Sequence, residues 1–240
     1  MMLKELSKIS VYNLYKGLQF RKLKKKALQI IHQYLQTDGV KKLHVGAGGS
    51  YLDGWLNVDL EPLDKRIAYM DAAGDYPLPD NSIEYVYCEH LFEHLSFMQQ
   101  MKMLKEVVRV LKPGGVFRVA TPNLDAILET VNSKTEFSKE YIDWAVKTYV
   151  PHVVDQLGEG AKDEIFVINN YFYNWGHQCI HNKRTLSLLL QRAGFRNIIG
   201  EEIYNSHHAI LKNLETHGNV IPRHFNEMET MVFEAQKASI

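Results

Sequence analysis

The sequence predicts an α/β fold: a doubly wound, mostly parallel sheet, with an N-terminal helical region before it and a helical, aromatic cap inserted into it. Three observations carry that prediction. Between Lys41 and Asn123, short apolar segments alternate with turns and helical stretches, the rhythm of a parallel sheet covered on both faces. The first segment runs straight into Gly46-Ala47-Gly48-Gly49, where glycine lets the chain turn sharply. Residues 124–180 then break the rhythm with Tyr141, Trp144, Tyr149 and the run Tyr171-Phe172-Tyr173-Asn174-Trp175.

Residues 1–40 form the helical extension. Leu3, Leu6 and Ile9 are spaced by three, and Leu23, Ala27, Ile31 and Leu35 continue a stripe at intervals of four. The region holds a basic cluster at Arg21, Lys22, Lys24, Lys25 and Lys26, read as a solvated face, with a membrane or polyanion contact as the sharper alternative. Residues 41–240 form the α/β domain. Its strands are expected at Leu43–Val45, Leu56–Val58, Ile83–Tyr87 and Val116–Ala120. A helix over Met98–Leu111 is ended by Lys112-Pro113-Gly114-Gly115, because proline cannot continue the hydrogen-bond ladder. Residues 124–180 are a cap beyond the carboxyl end of a strand. A helix over Thr185–Ala193 closes on Gly194, and a last strand covers Thr230–Ala235. The stretch Tyr204–Phe225 shows no clear period.

Composition narrows the function. The chain has 240 residues and equal numbers, 28 each, of Lys plus Arg and Asp plus Glu, so no basic excess points to nucleic acid. Cys88 and Cys179 lie far apart and belong to no CxxC pair, which argues against a zinc site and a secreted disulfide scaffold. No apolar run approaches the ~18 residues of a membrane span, and no signal-peptide core is seen, so the cytoplasm is the expected compartment.

The glycine turn brings backbone close to a ligand without an intervening Cβ. Asp59 ends the second strand, where a carboxylate can accept from both hydroxyls of a ribose, and Asp71 stands where a side chain meets an adenine. A dinucleotide fingerprint does not fit. Its third glycine would fall at Tyr51, and Asp59 follows Gly46 by 13 residues where ~20 are expected.

The order Gly46-Ala47-Gly48, Asp59, Asp71, Tyr76-Pro77-Leu78-Pro79-Asp80-Asn81-Ser82-Ile83-Glu84-Tyr85-Val86, Glu93-His94-Leu95 and Arg109-Val110-Leu111-Lys112-Pro113-Gly114-Gly115 resembles class I S-adenosylmethionine-dependent methyltransferases, closest to the type 11 group. The resemblance covers residues 41–123, with a further echo at His181–Phe195. It implies a class I methyltransferase-like sheet and S-adenosylmethionine as cofactor. Gly46, Ala47 and Gly48 would then approach its methionine part, Asp59 its ribose, and Asp71 or the Ala72 backbone its adenine. Cys88 and Glu89 would sit near the sulfonium, with His94 behind them as a ligand contact or a packing residue. His44 stands where the family often has an acidic residue, and Ser50 where it often has glycine. The path from Gly48 to Asp59 is too short for a long crossover helix, so a loop is expected.

Transfer of a methyl group to a hydroxyl needs alignment and a base. His90, His177 and His181 are the candidates, histidine being the side chain that titrates near neutrality. The order His90-x-x-Glu93-His94 is that of one zinc-protease class. It falls inside the family resemblance, and no metal is expected. The function expected is methyl transfer to a small-molecule or sugar acceptor, on oxygen. A catalytically silent partner subunit is the alternative.

Overall fold

The computed structural model describes residues 20–239. Leu3, Leu6 and Ile9 of the expected helical extension lie outside them. Residues 20–35 are helical (α1). Seven strands follow: β1 (Lys42–Val45), β2 (Leu56–Asp59), β3 (Ala68–Tyr69), β4 (Ile83–Glu89), β5 (Leu111–Pro122), β6 (Phe195–Glu201) and β7 (Thr230–Lys237). They form one sheet in the order β3-β2-β1-β4-β5-β7-β6, parallel except for β7, which runs antiparallel to β5 and β6. The expected doubly wound, mostly parallel sheet is present.

Alternation along the strands divides the sheet into two faces. Leu43, Val45, Leu56, Val58, Val86, Cys88, Phe117, Val119 and Phe233 form the main core with α1, α2 (Phe97–Val110) and α7 (Lys183–Ala193). Ala27 and Ile31 are the buried residues of α1, while Arg21, Lys22, Lys24, Lys25 and Lys26 are exposed, the arrangement of a solvated face. The α2 helix carries Met103, Leu104, Val107 and Val110 on its buried side and begins in a capping box between Ser96 and Gln99. Gly194 ends α7 in the left-handed conformation, as expected.

The opposite face carries polar residues in register. Asn57, His44, Tyr87, Arg118 and Glu234 are neighbours across β2, β1, β4, β5 and β7. The irregular segment 202–222 covers this face with Leu211 and Leu214, which pack on Trp55, Tyr87 and Val116. Its Glu215 reaches Arg118, which is fully buried and donates Nε to Glu215 Oε1 at 2.7 Å and Nη1 to Glu234 Oε1 at 2.6 Å. The missing crossover helix is a loop, residues 46–55, held by Asn57. That side chain donates to the carbonyls of Leu52 and Trp55, and its Oδ1 accepts from Leu52 N and from His44 Nδ1. Burial lowers the His44 pKa and keeps the ring neutral.

The two most specific motifs are clasped together. Arg109 donates to the carbonyls of Tyr76 (2.9 Å) and Leu78 (2.8 Å) and to Asp80, while Glu106 accepts from Tyr76 N at 2.6 Å and from Arg109. The Arg109 guanidinium, ahead of burial, holds the Glu106 carboxyl below its ordinary value. A depressed carboxyl pKa contributes stability above the unfolded value and loses it as pH falls through the folded one. Glu106→Gln is therefore expected to cost about 1 kcal/mol at neutral pH. In urea denaturation at several pH values the deficit should shrink below the ordinary value of 4.5. A deficit unchanged in acid would contradict the clasp.

The cap consists of α3 (Leu124–Asn132), α4 (Glu136–Tyr149), α5 (Pro151–Leu157) and α6 (Glu164–Tyr173). It has its own core of Ile127, Val131, Tyr141, Val146, Val167 and Tyr171, closed by Phe225 of α8 (Arg223–Glu229). Among the described residues no helix is long and apolar enough to cross a membrane.

Candidate active site

The glycine turn follows β1 at the carboxyl edge. Gly46 has φ 77°, and a Cβ there would stand 2.7 Å from Leu91 Cδ2, so both its conformation and its packing require glycine. Gly48 has φ 50°, but a Cβ there would project into open space. Gly46→Ala is accordingly expected to cost about 1–3 kcal/mol and Gly48→Ala about 1 kcal/mol. Chemical denaturation checks the order, and equal costs would contradict it.

The N–H groups of Gly46, Ala47 and Gly48 are committed within the protein. Gly46 and Ala47 both donate to the Val58 carbonyl at 3.0 Å, and Gly48 donates to Asp59 Oδ2 at 2.8 Å. The short crossover loop pulls the turn against β2. What it offers a ligand is open backbone surface rather than an array of free donors. Asp59 is half-buried at the end of β2, its Oδ1 accepting from Glu61 N. Asp71 is exposed two residues beyond β3, beside a cavity of about 340 Å³ walled by Lys24, Ala27 and Leu28 of α1 with Tyr69 and Met70. Ala72 is buried, and its carbonyl accepts from the Tyr76 hydroxyl.

The end of β4 differs from expectation in two respects. The Cys88 side chain is fully buried in the main core, where burial pushes its thiol up, so only its backbone faces the edge. The Glu89 carboxylate accepts from Thr216 N, Thr216 Oγ1 and His217 N at 2.8–3.0 Å. It anchors segment 215–217, which also touches the glycine turn through Ser50 and Thr216 hydroxyls 2.9 Å apart.

Beyond that segment a cavity of about 490 Å³ opens between the sheet edge and the cap. His90, Glu93, His94 and His217 line it from below, Tyr149, Tyr171, Trp175 and His177 from the cap, with Glu229 completing the wall. His90 follows β4 with φ 44°. Its Nδ1–H donates to the fully buried Glu93 carboxylate at 3.1 Å, and Nε2 lies 3.3 Å from Thr230 Oγ1. Burial opposes charge on His90, but the Glu93 hydrogen bond and charge outweigh it and raise its pKa. Despite burial, His90 holds the Glu93 carboxyl down. The His217 ring lies 4.0 Å from that of His90, and burial together with His90 drives it down to about 4.

His177 is half-buried, donates Nδ1–H to the Tyr171 carbonyl at 2.8 Å and has its pKa lowered by burial. Its ring meets His94 edge-on at 4.9 Å. His94 thus faces the cap, not the glycine turn. The expectation for His181 meets a structural obstacle. It is buried outside the cavity, its Nε2 donates to Gln100 Oε1 at 2.8 Å, and its Nδ1 lies 3.2 Å from Thr185 Oγ1. Both ring nitrogens join the cap exit to α2 and α7. Sequence reasoning missed Glu93, His217 and Glu229. The His-x-x-Glu-His order signalled the first; nothing local signalled the other two.

A mostly parallel sheet with one antiparallel strand β7 between β5 and β6, and a glycine turn and two carboxylates at its carboxyl edge, define a class I methyltransferase-type fold. Comparison with known proteins agrees. Residues 43–119 match the family model described as a methyltransferase domain. A probable S-adenosylmethionine-dependent methyltransferase of Mycolicibacterium smegmatis is 47% identical over 49 residues, which are 20% of this chain and 18% of that protein. The match thus spans about a fifth of that relative. A SAM-dependent methyltransferase from Archaeoglobus fulgidus superposes with a TM-score of 0.51 at 18% identity, covering 94% of this chain and 99% of that one.

Proposed function

We propose that this chain is an S-adenosylmethionine-dependent methyltransferase that methylates a hydroxyl of a small molecule or sugar held under the cap. The observation that carries the reading is the 490 Å³ cavity, which joins the carboxyl ends of β4 and β5 to a hydrogen-bonded His90–Glu93 pair. The residues fit the cofactor. The open surface at Gly48 takes the space that a Cβ would fill, Asp59 ends β2 where a ribose is held, and Asp71 borders the cavity beside α1. When bound, the cofactor supplies an electrophilic methyl on a sulfonium, whose leaving group is a neutral thioether.

The remaining work belongs to the chain. Tyr149 and Trp175 line the acceptor's side of the cavity, and His90 receives the hydroxyl proton as the oxygen–carbon bond forms. Glu93 holds His90 by Nδ1 and stabilises the imidazolium formed when Nε2, 3.3 Å from Thr230 Oγ1, takes that proton. His177 faces the same cavity as a positioning group.

A thermal-shift titration tests the reading. S-adenosylmethionine and S-adenosylhomocysteine are expected to raise the melting temperature with concentration, and NAD is not. Folded protein that neither compound stabilises would overturn it.

A further inference from the structure

The Glu93, His94 and His177 side chains are brought together by two separate parts of the chain. Glu93 and His94 sit on a single 3₁₀ turn, Phe92–His94, and His177 comes from the exit of the cap. Their ligand atoms all lie within 4.8 Å of one another. The turn explains how the local sequence order is used. His90 has a left-handed backbone and precedes the turn, so His90 and His94 do not share a helix face as the two histidines of a zinc-protease helix do. Instead His90 buttresses Glu93 from one side while His94 reaches toward the cap.

The donors are held by outer partners. The Glu93 carboxylate is fully buried, with one oxygen accepting from His90 and the other from Thr121 Oγ1 at 2.9 Å. A carboxylate oxygen has a second lone pair for a metal, and outer partners of this kind fix ligand orientation in known sites. The Tyr171 carbonyl accepts from His177 Nδ1 at 2.8 Å, which directs the Nε2 lone pair of the neutral tautomer outward. A carbonyl on the far nitrogen is the usual support of a metal-bound imidazole. Bonds of ~2.0–2.2 Å need donor atoms about 3.4 Å apart in a tetrahedral site. Closing from 4.8 Å to that spacing requires the half-buried His94 ring to turn toward Glu93 and His177. The open side of the three donors faces the cavity.

We propose that Glu93, His94 and His177 form a binding site for a divalent first-row transition metal, with an open position directed into the acceptor cavity. Two imidazoles and one carboxylate suit zinc, cobalt, manganese or ferrous iron rather than calcium or magnesium, which prefer all-oxygen sites. The role assigned to the metal, holding and polarising the acceptor oxygen, rests on the reading of the cavity as the acceptor site. The site itself does not.

The test uses full-length, tag-free protein stripped with chelator and titrated with Co²⁺ and Zn²⁺. Wild type is expected to bind one Co²⁺ with visible d–d absorption, and Zn²⁺ is expected to displace it. His94→Ala and His177→Ala should each weaken binding at least 10-fold, and His90→Asn should weaken it about 10-fold through Glu93. His181→Ala, outside the cavity, should leave it unchanged. Circular dichroism keeps loss of fold apart from loss of a ligand. Absence of 1:1 binding, or binding equally tight in the His94→Ala/His177→Ala double variant, overturns the proposal. S-adenosylhomocysteine added to the same stripped protein separates the two claims, because a thermal shift without metal binding sinks only the metal site.

Discussion

Arg118→Met is expected to lower the unfolding free energy by about 3–5 kcal/mol, the largest loss of stability of any single change in this account. The guanidinium is fully buried between Glu215 and Glu234 and also donates to the Asn205 carbonyl at 2.8 Å. Removing it leaves two carboxylates in the interior without their counter-charge. Burial already pushes the Glu215 carboxyl up in the presence of the guanidinium. A raised carboxyl pKa means that its stabilising contribution is present in acid and lost as pH rises through the folded value. The deficit of Arg118→Met should therefore be greatest at neutral pH and shrink in acid. Adding Glu215→Gln and Glu234→Gln should recover much of it, because the penalty comes from unpaired charge rather than lost attraction. Urea denaturation of the single and triple variants measures both effects. A single-variant loss below about 1 kcal/mol would show that the triad does not hold segment 202–222 on the sheet. That segment carries Thr216 and His217 to Glu89, so the variant should also disturb the cavity.

The second large effect concerns catalysis. His90→Asn is expected to lower kcat ~10²–10⁴-fold, the ordinary contribution of a positioned base. Asparagine is chosen because it tolerates the positive φ that His90 adopts, so the backbone should survive the change. Affinity for S-adenosylhomocysteine should stay within about 3-fold of wild type, since His90 lies on the cap side of segment 215–217. His181→Ala, by contrast, should lower stability through its lost bond to Gln100 while changing kcat little. If His181→Ala removed activity from a folded protein and His90→Asn did not, the assignment of the base would be reversed.

Much of this molecule can be read locally. The strands at Leu43, Leu56, Ile83 and Val116 announce themselves as apolar runs between turn residues, and the break at Lys112-Pro113 places the end of α2. The Tyr76–Val86 and Arg109–Gly115 motifs are legible for a physical reason. Arg109 binds the carbonyls of one from within the other, so they travel together. β3, at two residues, is too short to show a period, and β6 shows only through the family resemblance. The site fares less well. Asp59 and Asp71 stand at and just beyond the strand ends where their positions in sequence put them, and Cys88 points inward because alternation along β4 puts it on the main-core face. His217 and Glu229 meet His90 and Tyr171 only through the folding of segment 202–229, across more than a hundred residues in the first case. No spacing rule reaches that far. His181 shares its type and its neighbourhood with His177, and only the bond to Gln100 distinguishes a strut from a cavity wall.

The edge formed by Gly46–Gly48, Asp59 and Asp71 is proposed to bind S-adenosylmethionine. Calorimetric titration of wild type and Asp59→Ala with S-adenosylhomocysteine tests it most directly. One molecule is expected to bind per chain, with affinity reduced at least 10-fold by Asp59→Ala in protein whose circular dichroism is unchanged. Folded wild-type protein that binds none, or an Asp59→Ala variant that binds as tightly, would contradict the account.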